Sequence, residues 1–145
     1  MKVVYKKGNL LEDNADILVN CVNDKGFMGG GIALAFKNKY PDMFNEYVED
    51  CKNNKFIDLC YTLYIKNGVR ILNLLTMSDD MHGSYTRTLA GLYNIAKVIK
   101  KTDVKTIAIP PCGCGIGGLN KSIIHDEILD IFKDCDVELR MYDFK

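Results

Sequence analysis

The sequence of 145 residues has no tryptophan, only three prolines and two histidines, and no excess of either charge, since its formal net charge is zero. The missing basic excess argues against nucleic acid as the main partner, because a phosphate backbone is bound through clustered lysine and arginine. No apolar run reaches the ~18 residues that cross a bilayer, and the first residues lack the apolar core of a secretory signal. We therefore expect a cytoplasmic protein with no membrane partner.

The six cysteines do not show the spacing of a common metal site. No Cys-x-x-Cys pair occurs, and Cys112 and Cys114 lie too close together for a zinc knuckle. A phosphatase thiol would need an arginine six positions later to hold the phosphate, but Gly118 and Asn120 stand at those positions. We expect reduced thiols that pack beneath a tight loop, no metal and no cofactor.

The pattern of apolar residues predicts alternating strands and helices. Hydrophobic residues make up 48% of the chain and charged residues 26%, which is typical of a globular domain. The predicted strands are 3–5, 17–21, 59–65, 69–75, 106–109 and 136–142, and the predicted helices are 31–40, 42–53, 85–101 and 121–132. Residues 76–84 are predicted to form a loop. This order indicates one three-layer α/β/α domain over residues 1–145, with a six-stranded mixed sheet.

Two glycine-rich turns each follow a predicted buried strand and precede a predicted helix. The first glycine loop is residues 29–31, and the second glycine loop is residues 113–118. A strand, a glycine turn and a helix start present unpaired backbone N–H groups to an anion, with the positive end of the helix dipole behind them. Two such loops in one small domain predict a ligand that contains a diphosphate.

The residues around both loops resemble the macrodomain family. Asn20 and Asn23 stand before Met28, the three glycines and Ala33, as in the first ligand loop of that family. The second glycine loop is similar to the family's phosphate-wrapping loop, and the predicted element order fits as well. The nearest branch contains terminal ADP-ribose glycohydrolases, antitoxin-type deADP-ribosylases and an ADP-ribose 1″-phosphate phosphatase.

The resemblance implies that ADP-ribose or a related nucleotide is the ligand. Asn9 stands where the family has an aspartate that accepts from the adenine amino group, Phe144 stands near the adenine, and Asn23 stands near the distal ribose. The second glycine loop would wrap the diphosphate. The ligand-binding residues implied are Asn9, Leu10, Asn20, Asn23, Met28, Gly29, Gly30, Gly31, Ile32, Thr76, Cys112, Gly113, Cys114, Gly115, Ile116, Gly117 and Phe144.

The catalytic residues of the glycohydrolases are not matched. Met77 stands in place of their lysine after the fourth strand, and Gly117 stands in place of the aspartate in the second loop. Neither side chain can act as an acid, a base or a nucleophile. The phosphatase-like member has a His-Gly in the loop after the same strand, so His82 with Asp80 and Asn23 are the candidates for catalysis. The alternative is that His82 is an incidental residue of a polar surface loop.

Two functions follow from the resemblance. The first is a monomeric hydrolase that acts on ADP-ribose 1″-phosphate or on ADP-ribosylated targets such as protein. The second is a non-catalytic module that binds ADP-ribose as a reader or a sponge. A third and more remote function is binding of RNA through the same cleft, which would weaken steeply with salt.

Overall fold

The computed structural model describes residues 1–77 and 82–145. The candidate Asp80 lies outside the described residues. The strands are β1 (Lys2–Lys6), β2 (Ile17–Val22), β3 (Tyr61–Lys66), β4 (Val69–Leu75), β5 (Thr106–Ile109) and β6 (Glu138–Tyr142). The α-helices are α1 (Gly31–Lys39), α2 (Pro41–Lys52), α3 (Phe56–Leu59), α4 (Tyr85–Ile99) and α5 (Lys121–Phe132).

The strands form one mixed sheet in the order β1-β6-β5-β2-β4-β3. All neighbouring pairs are parallel except β3 and β4, which are antiparallel. The antiparallel pair closes through Asn67 and Gly68, which both have positive φ (53° and 78°). That is the type I′ turn expected of Asn-Gly between two strands. The predicted six-stranded mixed sheet is therefore confirmed.

Helices cover both faces of the sheet, because successive residues of each buried strand point to opposite sides. Along β2, Ile17 and Val19 belong to the core under α4 and α5, and Leu18 and Val22 belong to the core under α1 to α3. The first core is filled mainly by aliphatic side chains. The second contains Phe36, Met43, Tyr47 and Phe56, which are at most 2% exposed. This confirms the three-layer α/β/α architecture.

Several element boundaries differ from the prediction. The strand predicted from residue 59 begins at Tyr61, because residues 56–59 form the short helix α3. Cys60 ends that helix in the left-handed region, with φ of 59°. Helix α4 ends at Ile99 rather than at residue 101, and β6 begins at Glu138 rather than at residue 136. The 3-10 helix Leu10–Glu12, which Asn9 caps, was not predicted either.

No helix within residues 1–77 and 82–145 combines the length and the apolar composition needed to cross a bilayer.

Candidate functional site: a cleft between two glycine loops

A cleft of about 570 Å³ lies between the two glycine loops, at the carboxyl ends of β2, β4, β5 and β6. Ligands of open α/β sheets bind at this edge. Twelve residues that the sequence predicted to bind the ligand line it: Asn23, Met28, Gly29, Gly30, Gly31, Ile32, Thr76, Gly113, Cys114, Gly115, Ile116 and Gly117. The structure adds Cys21, Phe27, Ala33, Met77, Pro110, Pro111, Lys121 and Asp143.

The first glycine loop ends where helix α1 begins. Gly30 is the N-cap residue in an extended conformation, and Gly31 is the first helical residue with a positive φ of 57°. Neither residue supplies a side chain to cap the helix. The first backbone N–H groups of α1 therefore have no capping side chain, which is the arrangement that attracts an anion.

The second glycine loop is packed so tightly that two of its positions exclude a side chain. A Cβ at Gly117 would lie 2.6 Å from the carbonyl oxygen of Gly113 and 3.1 Å from the Cα of Gly83. Gly113 has a positive φ of 73°, and a Cβ there would meet Leu119 at 2.7 Å. Gly83 N also donates to the Gly117 carbonyl at 2.8 Å. Position 117 therefore has no room for the aspartate of the glycohydrolases in this backbone.

The two loops approach each other above the cleft through Ile116. This side chain is 77% exposed, and a Cβ built on Gly30 would lie 3.8 Å from its Cδ1 atom. A distance of 3.8 Å is an ordinary van der Waals contact, so Ile116 lies directly beside position 30 of the first loop. A ligand in the cleft would be covered from above by one apolar side chain.

Asn23 fixes the shape of the first loop. Its Oδ1 accepts hydrogen bonds from Lys25 N and from the Tyr47 hydroxyl, both at 2.8 Å, and its Nδ2 donates to the Phe27 carbonyl at 2.9 Å. Burial raises the pKa of Tyr47, so the phenol stays a neutral donor. A carboxamide has two N–H donors, so the second can face a ligand.

Asn20 supports the cleft from below and is not among the residues that line it. The side chain is fully buried, and its Nδ2 donates to Asn73 Oδ1 at 3.1 Å and contacts Met28 Sδ at 3.7 Å. This contact places Met28, which is 2% exposed, against the cleft floor. Asn20 therefore lies beneath the cleft and contacts the first loop through Met28.

Thr76 brings a buried hydroxyl to the end of β4. Its N donates to the Val22 carbonyl at 2.9 Å, and its carbonyl accepts from Ser84 N at 2.8 Å, so the backbone is held on both sides. The side chain is fully buried and lines the cleft, and within the described part of the chain Oγ1 has no hydrogen-bond partner. Buried hydroxyls are normally paired, so this one is suited to meet a ligand oxygen.

Two thiols near the cleft, those of Cys112 and Cys114, have a raised pKa. Cys112 is fully buried, and its contact with the Cys21 thiol together with its burial raises its pKa. Burial also raises the pKa of Cys114, which lines the cleft. All six cysteines are free thiols. A protonated thiol is a poor nucleophile, which agrees with the rejection of a cysteine phosphatase.

Charged side chains are scarce in the cleft. Among residues 1–77 and 82–145, Lys121 and Asp143 are the charged residues that line it, and Lys121 Nζ donates to the Asp143 carbonyl at 2.8 Å. His82 is exposed and is not among the lining residues, although Gly83 beside it contacts the second loop. The part of the chain that the structure describes holds no cluster of three or more metal-ligating side chains.

Two residues implied at the adenine end lie beside the cleft. Asn9 uses its carboxamide oxygen to accept from Leu11 N at 3.1 Å, and Leu10 next to it is buried in the core. Phe144 lines a smaller cavity of about 280 Å³, where its ring lies 5.8 Å from the ring of His125. Neither Asn9, Leu10 nor Phe144 lines the cleft itself, and the buried Cys112 does not line it either.

The architecture and the two loops agree with a family comparison. The model of the Macro domain matches residues 19–126 of this chain, which include both glycine loops. The chain belongs to the Macro domain family.

Relatives and solved structures point to one branch of the Macro domain family. A DNA ADP-ribosyl glycohydrolase of Mycobacterium tuberculosis is 32% identical over 97% of this chain, and one of Thermus aquaticus is 32% identical over 96%. The solved macrodomain of Mycobacterium tuberculosis DarG superposes with a TM-score of 0.90 at 32% identity, covering 97% of this chain and 96% of that structure. The chain spans 42% and 40% of the length of the two glycohydrolases.

Proposed function

We propose that this chain binds ADP-ribose, or an ADP-ribosyl group on a larger substrate, in the cleft between the two glycine loops. The observation that carries the proposal is the pair of loops itself. The first glycine loop offers the uncapped start of α1, and the second is packed so that only backbone faces the cleft at Gly113 and Gly117. Such surfaces suit a diphosphate, and the membership of the Macro domain family supports ADP-ribose as the nucleotide.

The ligand would lie along the cleft with its diphosphate under Ile116 and against the second loop. The resemblance to macrodomains supports placing the distal ribose near Asn23, whose second N–H can donate to a ribose hydroxyl. The adenosine would then lie toward Lys121 and Asp143 at the other end. The buried Thr76 hydroxyl would donate to an oxygen of the ligand between these ends. In this proposal residues 1–145 form one macrodomain that acts as a monomer.

The proposed reaction is hydrolysis of the bond between the distal ribose and its acceptor. Water adds to the anomeric carbon C1″, the bond from C1″ to the acceptor breaks, and the acceptor leaves with a proton. No carboxylate or imidazole of the described residues lines the cleft at the Asn23 end. A phosphate oxygen of the bound substrate would therefore accept the proton of the water and pass it to the departing acceptor. The activities of the mycobacterial and Thermus relatives support an ADP-ribosylated macromolecule as the substrate.

A second function, binding without turnover, is supported by two positions. Met77 lines the cleft where the resemblance places the lysine of the glycohydrolases, and Gly117 has no room for their aspartate. A Macro domain with this cleft would hold ADP-ribosyl groups and leave them intact. A third function, His82-assisted cleavage of ADP-ribose 1″-phosphate, is examined by the same assay.

Incubation of the protein with three substrates separates these functions. ADP-ribosylated single-stranded DNA, ADP-ribosylated protein and ADP-ribose 1″-phosphate would be followed by release of ADP-ribose or phosphate. The proposed hydrolase releases ADP-ribose from an ADP-ribosylated macromolecule. Binding of ADP-ribose with no release from any substrate supports the second function. Release of phosphate that the His82→Ala variant loses would support the phosphatase, whereas unchanged release would exclude a role for His82.

A further inference from the structure

Phe27 places an exposed aromatic ring at the Asn23 end of the cleft. The side chain lines the cleft, and the residue is 47% exposed, whereas Met28 next to it is 2% exposed. Exposure of a large aromatic residue beside a cleft calls for an explanation, because burying such a ring stabilises a fold substantially. The Phe27 ring belongs to neither of the two hydrophobic cores.

The backbone of Phe27 is held in place by buried groups. Its carbonyl accepts a hydrogen bond from Asn23 Nδ2 at 2.9 Å and lies 3.4 Å from the hydroxyl oxygen of Tyr47. Tyr47 is fully buried and anchors the loop to helix α2. The backbone from which the Phe27 side chain extends is therefore fixed relative to Asn23. This places the side chain at the end of the cleft from which the acceptor would emerge.

A nucleobase is the acceptor that this ring suits best. Stacking of a base on an aromatic side chain contributes about five- to 150-fold in affinity per base, because every base has a flat π-face. An aspartate, glutamate or serine acceptor offers no such face. A base within a duplex has both faces covered by its neighbours, so the base would have to be unstacked or in a single strand.

A cation for the flanking phosphates lies near the same end. Arg87, in the first turn of α4, lies 3.9 Å from the carboxylate of Asp24, and its side chain is 37% exposed. A guanidinium has five donors, so an ion pair of this length leaves some for a phosphate oxygen. One local contact of this kind is compatible with the zero net charge of the chain.

We propose that Phe27 forms the acceptor subsite and stacks on the ADP-ribosylated base of a single-stranded nucleic acid. This inference rests on the proposed function, because it takes the distal ribose to lie near Asn23. It assigns a nucleobase, rather than a protein side chain, as the acceptor.

The test compares Phe27→Leu, which removes the ring and keeps an apolar side chain, with Phe27→Tyr, which keeps a ring. Tyr93→Leu is the matched control, because Tyr93 is 55% exposed on α4 and does not line the cleft. Each protein would be titrated with ADP-ribose and with a single-stranded oligodeoxynucleotide that carries one ADP-ribosylated base. The specificity constant kcat/KM replaces Kd if the oligonucleotide is hydrolysed.

We expect Phe27→Leu to weaken binding or kcat/KM for the oligonucleotide about tenfold and to leave the Kd of ADP-ribose within about twofold. Phe27→Tyr and Tyr93→Leu should behave as the parent protein. Equal loss for both ligands, or no loss for either, would overturn the acceptor subsite. If the parent protein does not bind ADP-ribose at all, the proposed function fails as well, so the two failures can be told apart.

Discussion

Asp13, near the start of the chain, has a pKa well below its ordinary value. Its side chain is 1% exposed and accepts hydrogen bonds from Tyr142 at 2.5 Å, from Arg140 at 2.6 Å and from Lys6 at 3.3 Å. Burial raises the pKa of this carboxyl, but these hydrogen bonds outweigh burial and hold the pKa at about 2. Asp13 thereby ties the loop after β1 to strand β6, which lies between β1 and β5 in the sheet.

The low pKa of Asp13 predicts how stability depends on pH. A carboxyl whose folded pKa is about 2 and whose ordinary value is 3.8 stabilises the fold above pH 4, and this contribution is lost as the pH falls toward 2. The contribution is about 2 kcal/mol, since one pKa unit corresponds to ~1.4 kcal/mol. Urea unfolding should show Asp13→Asn less stable than the parent at pH 7, with the difference narrowing as the pH falls. Asp130→Asn, which removes one partner of an exposed ion pair, is the control. A stability difference between Asp13→Asn and the parent that does not depend on pH would contradict the low pKa of Asp13.

A substitution at Met77 tests which of the two proposed functions, hydrolysis or binding without turnover, the cleft supports. Its backbone is fixed by a bridge with Gly83, and the residue lines the cleft. A lysine at this position would reach the same space, where the glycohydrolases that the chain resembles carry one. We predict that Met77→Lys increases release of ADP-ribose from ADP-ribosylated DNA at least about tenfold, whereas Met77→Leu does not. No increase would show that a lysine at this position is not sufficient.

The role of a single residue can be predicted from the sequence when that role depends on its neighbours in the chain. The N-cap role of Asn120 follows from its place before an apolar helix pattern, and its Oδ1 does accept from Ile123 N at 3.1 Å. Asn9 shows the limit, because its carboxamide caps a 3-10 helix that no periodicity reveals. Phe27 gave no signal either, because its exposure depends on how Asn23 and Tyr47 hold the loop.

At the scale of elements, the second glycine loop is the part whose sequence is most constrained. Gly113, Gly117 and Gly83 pack backbone against backbone or against Leu119, so each excludes a Cβ. Gly115 differs, because a Cβ there would meet nothing within 4 Å. The loop therefore contains a position that can change and positions that cannot.

This difference gives a matched pair of substitutions. Gly117→Asp should lower the free energy of unfolding by about 1–3 kcal/mol, since the backbone must move to admit the side chain, and it should weaken nucleotide binding. Gly115→Ala should stay within about 0.5 kcal/mol of the parent. Thermal unfolding and a titration with ADP-ribose would measure both. A Gly117→Asp protein as stable as the parent, and more active, would mean that the loop admits the acid after all.

Elements with a clear apolar run or helical period were predicted well, and the short helix α3 was not predicted. Strand β4, strand β5 and helix α5 have the predicted bounds, because each shows a clear apolar run or helical period between turn signals. Helix α3 was not predicted, since its four residues are too few to show a period, and its last residue, Leu59, was assigned to β3. The boundaries of α4 and β6 differ by two residues, as expected of frayed ends.

At the scale of the whole molecule, the topology creates the site. Strands β2, β4 and β5 are neighbours in the sheet, although β5 lies about thirty residues beyond β4 in the chain. Their parallel register brings the two glycine loops to one edge, with Thr76 between them. The sequence predicted both loops at the carboxyl edge. The order of strands depends on packing between distant segments, which local patterns do not encode.

The zero net charge is also a property of the whole molecule. It argues against a face that binds a nucleic-acid backbone by charge alone. It does not argue against an ADP-ribosyl group attached to a base, because the cleft would hold the nucleotide and Phe27 the base. The two glycohydrolase relatives, which are named for DNA, are compatible with this division.

The central claim is that the cleft between the glycine loops binds ADP-ribose. Calorimetric titration of the folded protein with ADP-ribose tests it most directly, with Gly117→Asp as a variant altered in the second loop. The account predicts one site per chain with a dissociation constant in the micromolar range (about −8 kcal/mol) and weaker binding by the variant. A folded protein that releases or takes up no heat with ADP-ribose, and that shows no thermal stabilisation by it, would contradict the claim.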